Sequence, residues 1–576
     1  MFVNKDNLYD DGCMNRTCIA CNGPFSIEDA DLDFYRRVSP VIGGKTYDIP
    51  PPTHCPDCRQ LRRLAHCNER VLFPGTCGLC KKRTLTQFSP KSDQPYYCNE
   101  CWHSDKWEPR DYCRDVDFTR PFYEQLAELR RTVPHLALSI SGTCENSDYI
   151  HYAGTSKNCY LIMHADFCED CYYGYGFKRN RSCVDGFYNL HSELLYDCID
   201  CHKCYDLTAS QDCQNCSSSA FLRDCTGCQN CFLCVGLRNK QYCFENKQLT
   251  KEEYQAKRRT IDTGSAAAWA SMKERRRMLE LEHPFKEFQG HNLEACSGNY
   301  LYNCKDVRDS FDCEDVEGGR FCTQIVLGAK NVYDAYQYGT NFQNAYETCI
   351  CGEDSQNFLF CLDCHMSSSD LICCWYMERS QNCFGCAGMQ RAKHCILNKQ
   401  YAKEEYEALV PKIIEHMKST GEWGEFLPAR HALFGYNHTT ANLWYPMMKG
   451  EAETRDFRWE DAQPEPPTVA KIIDAAQLPD NIRDIPDDVL QLAIRCELTG
   501  KSFRVIRREL EFCRRQTIPL PRRSPDQRHL DRFAKRNPRK FFDRQCGKCG
   551  KAIRTTYAPD RPEIVYCEQC YLQEVY

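Results

Sequence analysis

The sequence predicts a mainly β protein: a duplicated, cysteine-rich solenoid of parallel strands, β-helix-like, flanked by N- and C-terminal zinc-ribbon modules and carrying short helical inserts. Three observations predict it. A cysteine-dense array occurs twice, Cys-x-x-Cys pairs stand at ribbon spacing near both ends, and the arrays are broken every few residues by Asp, Asn, Gly or Ser. The first array, Cys144 to Cys243, holds 15 cysteines in 100 residues, and the second, Cys296 to Cys395, holds 13 in the same length. QNCFLCVGLRNKQYCFENKQLTKEEY from Gln229 returns as QNCFGCAGMQRAKHCILNKQYAKEEY from Gln381, an offset of 152 that also carries Cys144 onto Cys296. Between these anchors the register drifts. Internal repetition outranks local motifs as a fold signal, because each unit buries its core only by stacking on its neighbour.

Length and composition set the bounds. A chain of 576 residues implies several domains. Its 45 cysteines would suit a disulfide scaffold in a small secreted protein, but MFVNKDNLYDDGC shows no basic run followed by an apolar one. No apolar stretch approaches the roughly 18 residues of a membrane span. A reduced, cytoplasmic protein is therefore expected, with no membrane partner, and its cysteine pairs as metal ligands or buried thiols.

The elements follow in order. Residues 1–113 read as tandem ribbons. Cys18 and Cys21 pair with Cys55 and Cys58 across 33 residues; Cys77 and Cys80 pair with Cys98 and Cys101 across 17. Zinc wants four thiolates in a tetrahedron, and each Cys-x-x-Cys turn supplies two. The shorter spacing is that of a ribbon; the longer contains Tyr47-Asp-Ile-Pro-Pro-Pro52, read as an inserted loop. Cys13, Cys67 and Cys113 fall outside the pattern and read as packed thiols. With four cysteines available at each site, His54 and His103 are not needed as ligands. Residues 114–143 form a helical connector, with Thr119 and Pro121 at its start, Phe122, Leu126 and Leu129 on one face, and Pro134 beyond its end.

Array 1 spans 144–248. Its cysteines suit a coil interior as small hydrophobes with a weak donor. The Asp or Asn before Cys198, Cys201, Cys213, Cys216, Cys225 and Cys231 suits corners, where such side chains bond the backbone and tolerate left-handed geometry. The runs Cys198–Cys204 and Cys225–Cys234 also approach iron–sulfur spacing, but no proline follows a last cysteine and the second array keeps only part of the pattern. Tyrosines such as Tyr172, Tyr173, Tyr175, Tyr333, Tyr336 and Tyr338 suit a half-buried strand face. A helical insert, 249–290, opens on the capping box Thr250-Lys-Glu-Glu253 and continues into the charged run AAAWASMKERRRMLELE, read as a solvated face. Array 2 spans 291–400, and a helix and irregular linker span 401–470, ending in QPEPPTVAK.

Residues 471–576 repeat the N-terminal modules. Cys77 to Trp102 matches Cys546 to Tyr571 at an offset of 469, which makes Cys546, Cys549, Cys567 and Cys570 a third zinc site. LDFYRR returns as LEFCRR and CPDCR as SPDQR, but Cys496, Thr499, Ser524 and Gln527 now stand where four ligands stood. That module has lost its metal and must be held by packing.

Taken together, the ribbon pairs, the duplicated arrays ending in NKQ-x-x-KEEY, the GYN-x-T-x-A segment and the closing ribbon resemble a family of uncharacterised cysteine-rich zinc-ribbon proteins from uncultivated bacteria. The resemblance covers essentially the whole chain. It implies this layout and supplies no activity; some relatives bear a CoA-transferase label that no residues here support. The chain departs from the family in its degenerate ribbon.

Charge carries the functional hint. Residues 501–545 hold 15 Lys or Arg against 5 Asp or Glu, while the whole chain is −6. A basic block in an acidic protein is the footprint of phosphate contact. Arg504, Arg507, Arg508, Arg514, Arg515, Arg522 and Arg523 are the candidate contacts, to RNA or single strands, and a second protein is the other candidate partner. The expected function is a non-catalytic zinc-binding scaffold or binding protein. An enzyme is the alternative, using array cysteines for redox chemistry or a solenoid groove for carbohydrate, but no phosphate loop, HExxH helix or nucleophile elbow is present.

Overall fold

The computed structural model describes residues 9–10, 13–464 and 467–575. The stretch read for an export signal lies almost wholly outside them, as do residues 465–466 of the proline-rich linker and residue 576. Strand outweighs helix, 34% to 24%, so the chain is mainly β. It forms two compact units, each discontinuous: Met1–Ala137 with Gln289–Ala462, and Leu138–Phe288 with Gln463–Tyr576. The N-terminal ribbon pair thus folds with the second array, and the C-terminal pair with the first.

Array 1 is built on a constant register. Each segment pairs in parallel with the one twelve residues on: His151 faces Met163, Glu193 faces Tyr205, Ile199 faces Gln211 and Ala220 faces Phe232. Within the segments every third residue is left-handed, as in Asp197 (φ 51°), Asp200 (50°), Lys203 (54°), Asp206 (51°) and Ala209 (48°). That geometry costs an ordinary L-residue roughly 1–2 kcal/mol, and Asn and Asp visit it most readily because their side chains bond locally. Asp197, Asp200, Asp212, Asn215, Asp224 and Asn230, the expected corner residues, all occupy it. Asn and Asp side chains at such positions also chain together: Asn146 donates to Asn158 (2.8 Å), and Asn158 to Asp170 (3.0 Å). Array 2 repeats the device from Asn331 through Asn344 and Asn357 to Asp370. Each ladder ends on Asp because a carboxylate only accepts.

The residue after most left-handed positions faces the core, and all 15 array-1 cysteines keep this three-residue phase. Cys198 Sγ donates to the carbonyls of Tyr196 (3.4 Å) and Leu207 (3.3 Å), two residues back and nine ahead, and Cys171 does the same to Glu169 and Asn180. Where serine or asparagine takes the position, its oxygen accepts the core-facing amide twelve residues on: Ser192 from Cys204 (3.1 Å), Ser210 from Leu222 (3.0 Å), Asn189 from Cys201 (3.1 Å). A core this narrow needs small side chains that also satisfy backbone groups, and cysteine is the apolar one that can.

Array 2 explains the drift in the repeat. Its step is twelve residues where Gly298 faces Ser310, and thirteen from Val316 facing Ala329 through Leu362 facing Trp375. It returns to twelve where Ser369 faces Gln381.

Both arrays close in the same way, and this accounts for the NKQ-x-x-KEEY motif. Asn246 bonds the amide and carbonyl of Val235 (2.9 and 2.8 Å), and Asn398 those of Ala387 (2.8 Å each), which satisfies polar groups at the last strand edge. Gln248 and Gln400 accept from the last cysteines, Cys243 and Cys395, at 3.5 Å. The helix Lys251–Arg259 then starts on the expected capping box, Glu253 amide to Thr250 at 3.2 Å and the reverse at 2.9 Å. In Lys403–Ser419 only the return bond survives, Glu405 to the Ala402 amide at 3.0 Å.

The connector helix differs from its reading at one end. It runs Phe122–Thr132, because Thr119 turns its hydroxyl to Asp117 (2.6 Å) and the first amides are capped from afar by Glu422, at 2.9 and 2.7 Å. Its apolar face is the expected one, with Phe122 against Phe384 of array 2. The helix Ala266–Glu282 is only partly solvated: Trp269, Met272 and Arg276 are buried in the first array's unit.

Each unit joins ribbon to array through buried charges. In one, Arg59 pairs with Asp334 (2.8 Å), Arg62 with Glu347 (2.8 Å), and Arg63 with both at 3.3 Å. In the other, Arg528 pairs with Asp185 and Glu509, Arg532 with Asp185 (3.0 Å) and Arg536 with Asp200 (2.8 Å). Arg59 and Arg63 fall on Arg528 and Arg532 in the repeat, and Asp334 and Asp185 are both left-handed array residues (φ 54° and 57°).

Of the 28 array cysteines, 26 are buried; Cys144 and Cys296 are half-buried. A thiol reagent applied to the native protein should modify those two first and leave the rest, and denaturant should release all 28. Mass spectrometry reads the outcome, and broad native labelling would contradict this packing.

Candidate metal centres

Three groups of four cysteines bring their Sγ atoms within 4.8 Å of one another: Cys18, Cys21, Cys55 and Cys58; Cys77, Cys80, Cys98 and Cys101; Cys546, Cys549, Cys567 and Cys570. All twelve predicted ligands are thus brought together, in the predicted quartets. A metal–thiolate bond of about 2.3 Å gives a tetrahedral S–S edge of about 3.8 Å. Cys21 and Cys55 lie 3.7 Å apart, Cys80 and Cys98 3.9 Å, and Cys549 and Cys567 3.8 Å. The residues fit a tetrahedral metal.

The local sequence builds each quartet from two kinds of turn. The first knuckle closes with an amide from the first cysteine to the residue five on: Cys18 to Gly23 (2.9 Å), Cys77 to Lys82 (2.9 Å), Cys546 to Lys551 (2.8 Å). A left-handed residue completes it, Asn22, Lys81 or Gly550. The second knuckle sits at a helix start: Cys55 before Pro56–Leu64, Cys98 before Asn99–Trp102, Cys567 before Glu568–Val575. Free amides and the positive helix end favour a thiolate there.

Electrostatics single out one thiol in each quartet, and Cys98, at a helix start, is instead pushed up, chiefly by desolvation. Burial opposes charge on Cys77 and Cys546, but backbone N–H groups win and draw each down to about 6. Cys55 falls to about 5, chiefly through its hydrogen bond with Cys58. Cys101 is pushed up to about 12 by desolvation and then by its three neighbours, and Cys570 to about 12, chiefly by Cys567. One thiolate per quartet forms readily; the full set needs a cation to offset the repulsion.

The long spacing in the first ribbon holds more than a loop. It contains the helix Asp29–Val38, and the Pro51 and Pro52 carbonyls accept from Arg16 at 3.0 and 3.1 Å. His54 turns to Glu425 (3.2 Å) and His103 to Glu378 (3.3 Å), so neither joins a quartet. Cys67 is buried with its sulfur 3.0 Å from that of Cys349, Cys13 is half-buried, and Cys113 is exposed rather than packed.

The degenerate module keeps the knuckle without the ligands. Cys496 bonds Lys501 (2.9 Å), and Gly500, left-handed at 69°, bonds Cys496 (2.9 Å), as in the intact sites. Ser524 caps the helix Pro525–Phe533 through the Gln527 amide (3.3 Å) where Cys55 would hold metal. Packing and capping have replaced coordination.

The seven basic candidates divide. Arg504, Arg507, Arg514 and Arg515 are exposed, whereas Arg508, Arg522 and Arg523 are half-buried. Arg508 donates to the Asn158 carbonyl (3.0 Å), Arg522 to Ala475 (3.0 Å), and Arg523 pairs with Glu497 (2.7 Å) and Asp531 (2.9 Å). Arg514 meets Asp487 (2.6 Å) and Arg504 the Leu490 carbonyl (3.0 Å).

No family model matches the chain, and no curated protein matches it. Among solved structures, one described as "putative acetyltransferase from Desulfovibrio desulfuricans G20" aligns over 40% of this chain and 66% of its own length, with 8% identity and a TM-score of 0.10, too low to indicate a shared fold. Among the described residues no helix is long and apolar enough to cross a membrane.

Proposed function

We propose that the protein is a non-catalytic zinc-binding scaffold that presents a binding surface for nucleic acid or a second protein in a reducing, cytoplasmic setting. The observation that carries it is the three thiol quartets at tetrahedral edge lengths. Zinc suits four thiolates and needs no redox partner. The arrays are read as parallel-strand solenoids of the β-helix kind, a reading supported by the twelve-residue register and the left-handed corner at every third residue. Their buried, carbonyl-bonded thiols argue against the redox alternative, since reactive cysteines need exposure as well as thiolate character. The resemblance to the cysteine-rich family of uncultivated bacteria rests on the motif ends and stays part of this reading.

Nucleic acid is the favoured partner because Arg507 and Arg515 are exposed and lack an ionic partner among the described residues, on a module of high local positive charge. Arginine's planar fork meets phosphate in two places and stacks on bases. The full chain should bind single-stranded RNA, with affinity falling steeply as salt rises, since counterion release supplies most of it. Reversing Arg507 and Arg515 to Glu should weaken binding at least about tenfold at low salt with metal content unchanged. Equal binding by the variant, or no salt dependence, would remove this partner and leave the protein-binding scaffold.

A further inference from the structure

The unit built on the first array contains a cleft of about 510 Å³, which shares the lining residues Ala270, Lys273 and Lys535 with a second of about 370 Å³. This is the size range of small-molecule sites. Six cations line the larger part, Arg223, Lys273, Arg276, Arg277, Lys535 and Arg561, against three carboxylates, Glu274, Glu280 and Glu563. Some of that charge is already committed. Arg276 is held by Glu280 (2.8 Å) and the Ala209 carbonyl (2.6 Å), Arg561 by Glu563 and Asn537, and Arg223 by Asp212 (2.5 Å). Three cations and one carboxylate, Glu274, remain. Lys273 and Lys535 share one carboxylate, Asp197, at 2.7 and 3.9 Å, with 39% and 34% of their side chains exposed to the cleft or solvent. Arg277 is exposed and has no ionic partner among the described residues.

We propose that this cleft binds a small polyanion, a metabolite-sized molecule carrying phosphate or carboxylate groups, through Lys273, Lys535 and Arg277. Two ammonium groups on one carboxylate leave an uncompensated charge in the cleft lining, and the Arg277 guanidinium, one turn along the helix from Lys273, gives a second point of attachment. The environment of Lys535 favours an incoming anion. Burial is the main influence drawing its ammonium down to about 8; Asp197 opposes this, and Lys273, Arg276 and Arg532 add to it. An anion in the cleft offsets those like charges, so its binding raises the affinity of Lys535 for its proton. Nothing in this site depends on the metal centres or on the exposed arginines.

The test is calorimetric titration of the full chain with inorganic pyrophosphate and, separately, citrate. One site is expected, with a preference between the probes that identifies phosphate or carboxylate as the recognised group. Lys535→Gln and Arg277→Gln should each weaken binding about tenfold, the loss of one charge-assisted contact, while Lys251→Gln, at an exposed lysine outside the cleft lining, should not. Above about pH 8 binding should take up a proton, seen as heats that differ between buffers, and Lys535→Gln should abolish that difference. Absence of binding by both probes at millimolar concentration overturns the proposal. So does equal weakening in Lys251→Gln, which would mean non-specific screening only.

Discussion

Replacing Cys98 with serine is expected to lower the metal content from three ions per chain to two and to unfold the ribbon of residues 73–102. The Sγ atoms of Cys77, Cys80, Cys98 and Cys101 share one site, and Cys98 also opens the helix Asn99–Trp102. Structural zinc in small modules supplies on the order of 10–16 kcal/mol of apparent binding energy, more than so small a core can replace. Unfolding should be local. Trp102 is buried and donates to the Pro134 carbonyl (3.2 Å), and Tyr96–Tyr97 pairs with His135–Leu136, so the loss should spread to 133–137 and stop at the array. Cys496→Ser is the control and should leave the metal count untouched, because its module holds one cysteine of the original four. Elemental analysis and hydrogen exchange over 73–137 read both. Three ions retained in the Cys98 variant, four or more in the wild type, or iron in place of zinc would each overturn the assignment.

The metal quartets were legible because a knuckle is a local device: two cysteines three apart, closed by one left-handed residue, need no information from elsewhere in the chain. The array corners were legible for the same reason, since Asp or Asn before a cysteine marks a left-handed position. The three-residue phase of all 15 array-1 cysteines was also present in the numbering, and it fixes the corner spacing by itself. What escaped depends on contacts between distant residues. Nothing in the local pattern assigns the C-terminal ribbons to the first array, because that choice is made by Arg528 and Asp185, 343 residues apart. The connector helix begins three residues late because its cap, Glu422, lies 300 residues from Phe122. The cleft cations Lys273 and Lys535 are likewise joined only through Asp197. Thirteen-residue steps in the second array escaped because a single extra corner residue leaves composition unchanged.

The buried charge clamp yields the other large expected effect. Asp185→Ala removes the carboxylate shared by Arg528 and Arg532, whose side chains are 8% and 2% exposed. Arg528 keeps Glu509 at 2.8 Å, and Arg532 keeps the Tyr173 carbonyl at 3.3 Å with no carboxylate in ion-pair contact among the described residues. Breaking a buried pair typically costs about 3–5 kcal/mol, because the surviving charge stays desolvated. In the matching change in the other unit, Asp334→Ala, Arg63 retains Glu347 at 3.3 Å and Arg59 is left with the His54 carbonyl at 2.7 Å, so the loss of charge is alike, and the metal quartet of that ribbon should make the change cost less. The asymmetry separates two accounts of how a ribbon survives without a metal quartet. If the clamp has taken over from the metal, chelator should abolish the difference between the two variants by stripping the first quartet. If apolar packing alone holds the degenerate module, Asp185→Ala should cost no more than Asp334→Ala, with or without chelator, because each change leaves one buried arginine without its carboxylate. Hydrogen exchange across 507–533, compared with 29–64 in the same sample, distinguishes the two outcomes. Protection lost first in 507–533 of the Asp185 variant, with metal still bound at Cys546, Cys549, Cys567 and Cys570, is the expected result.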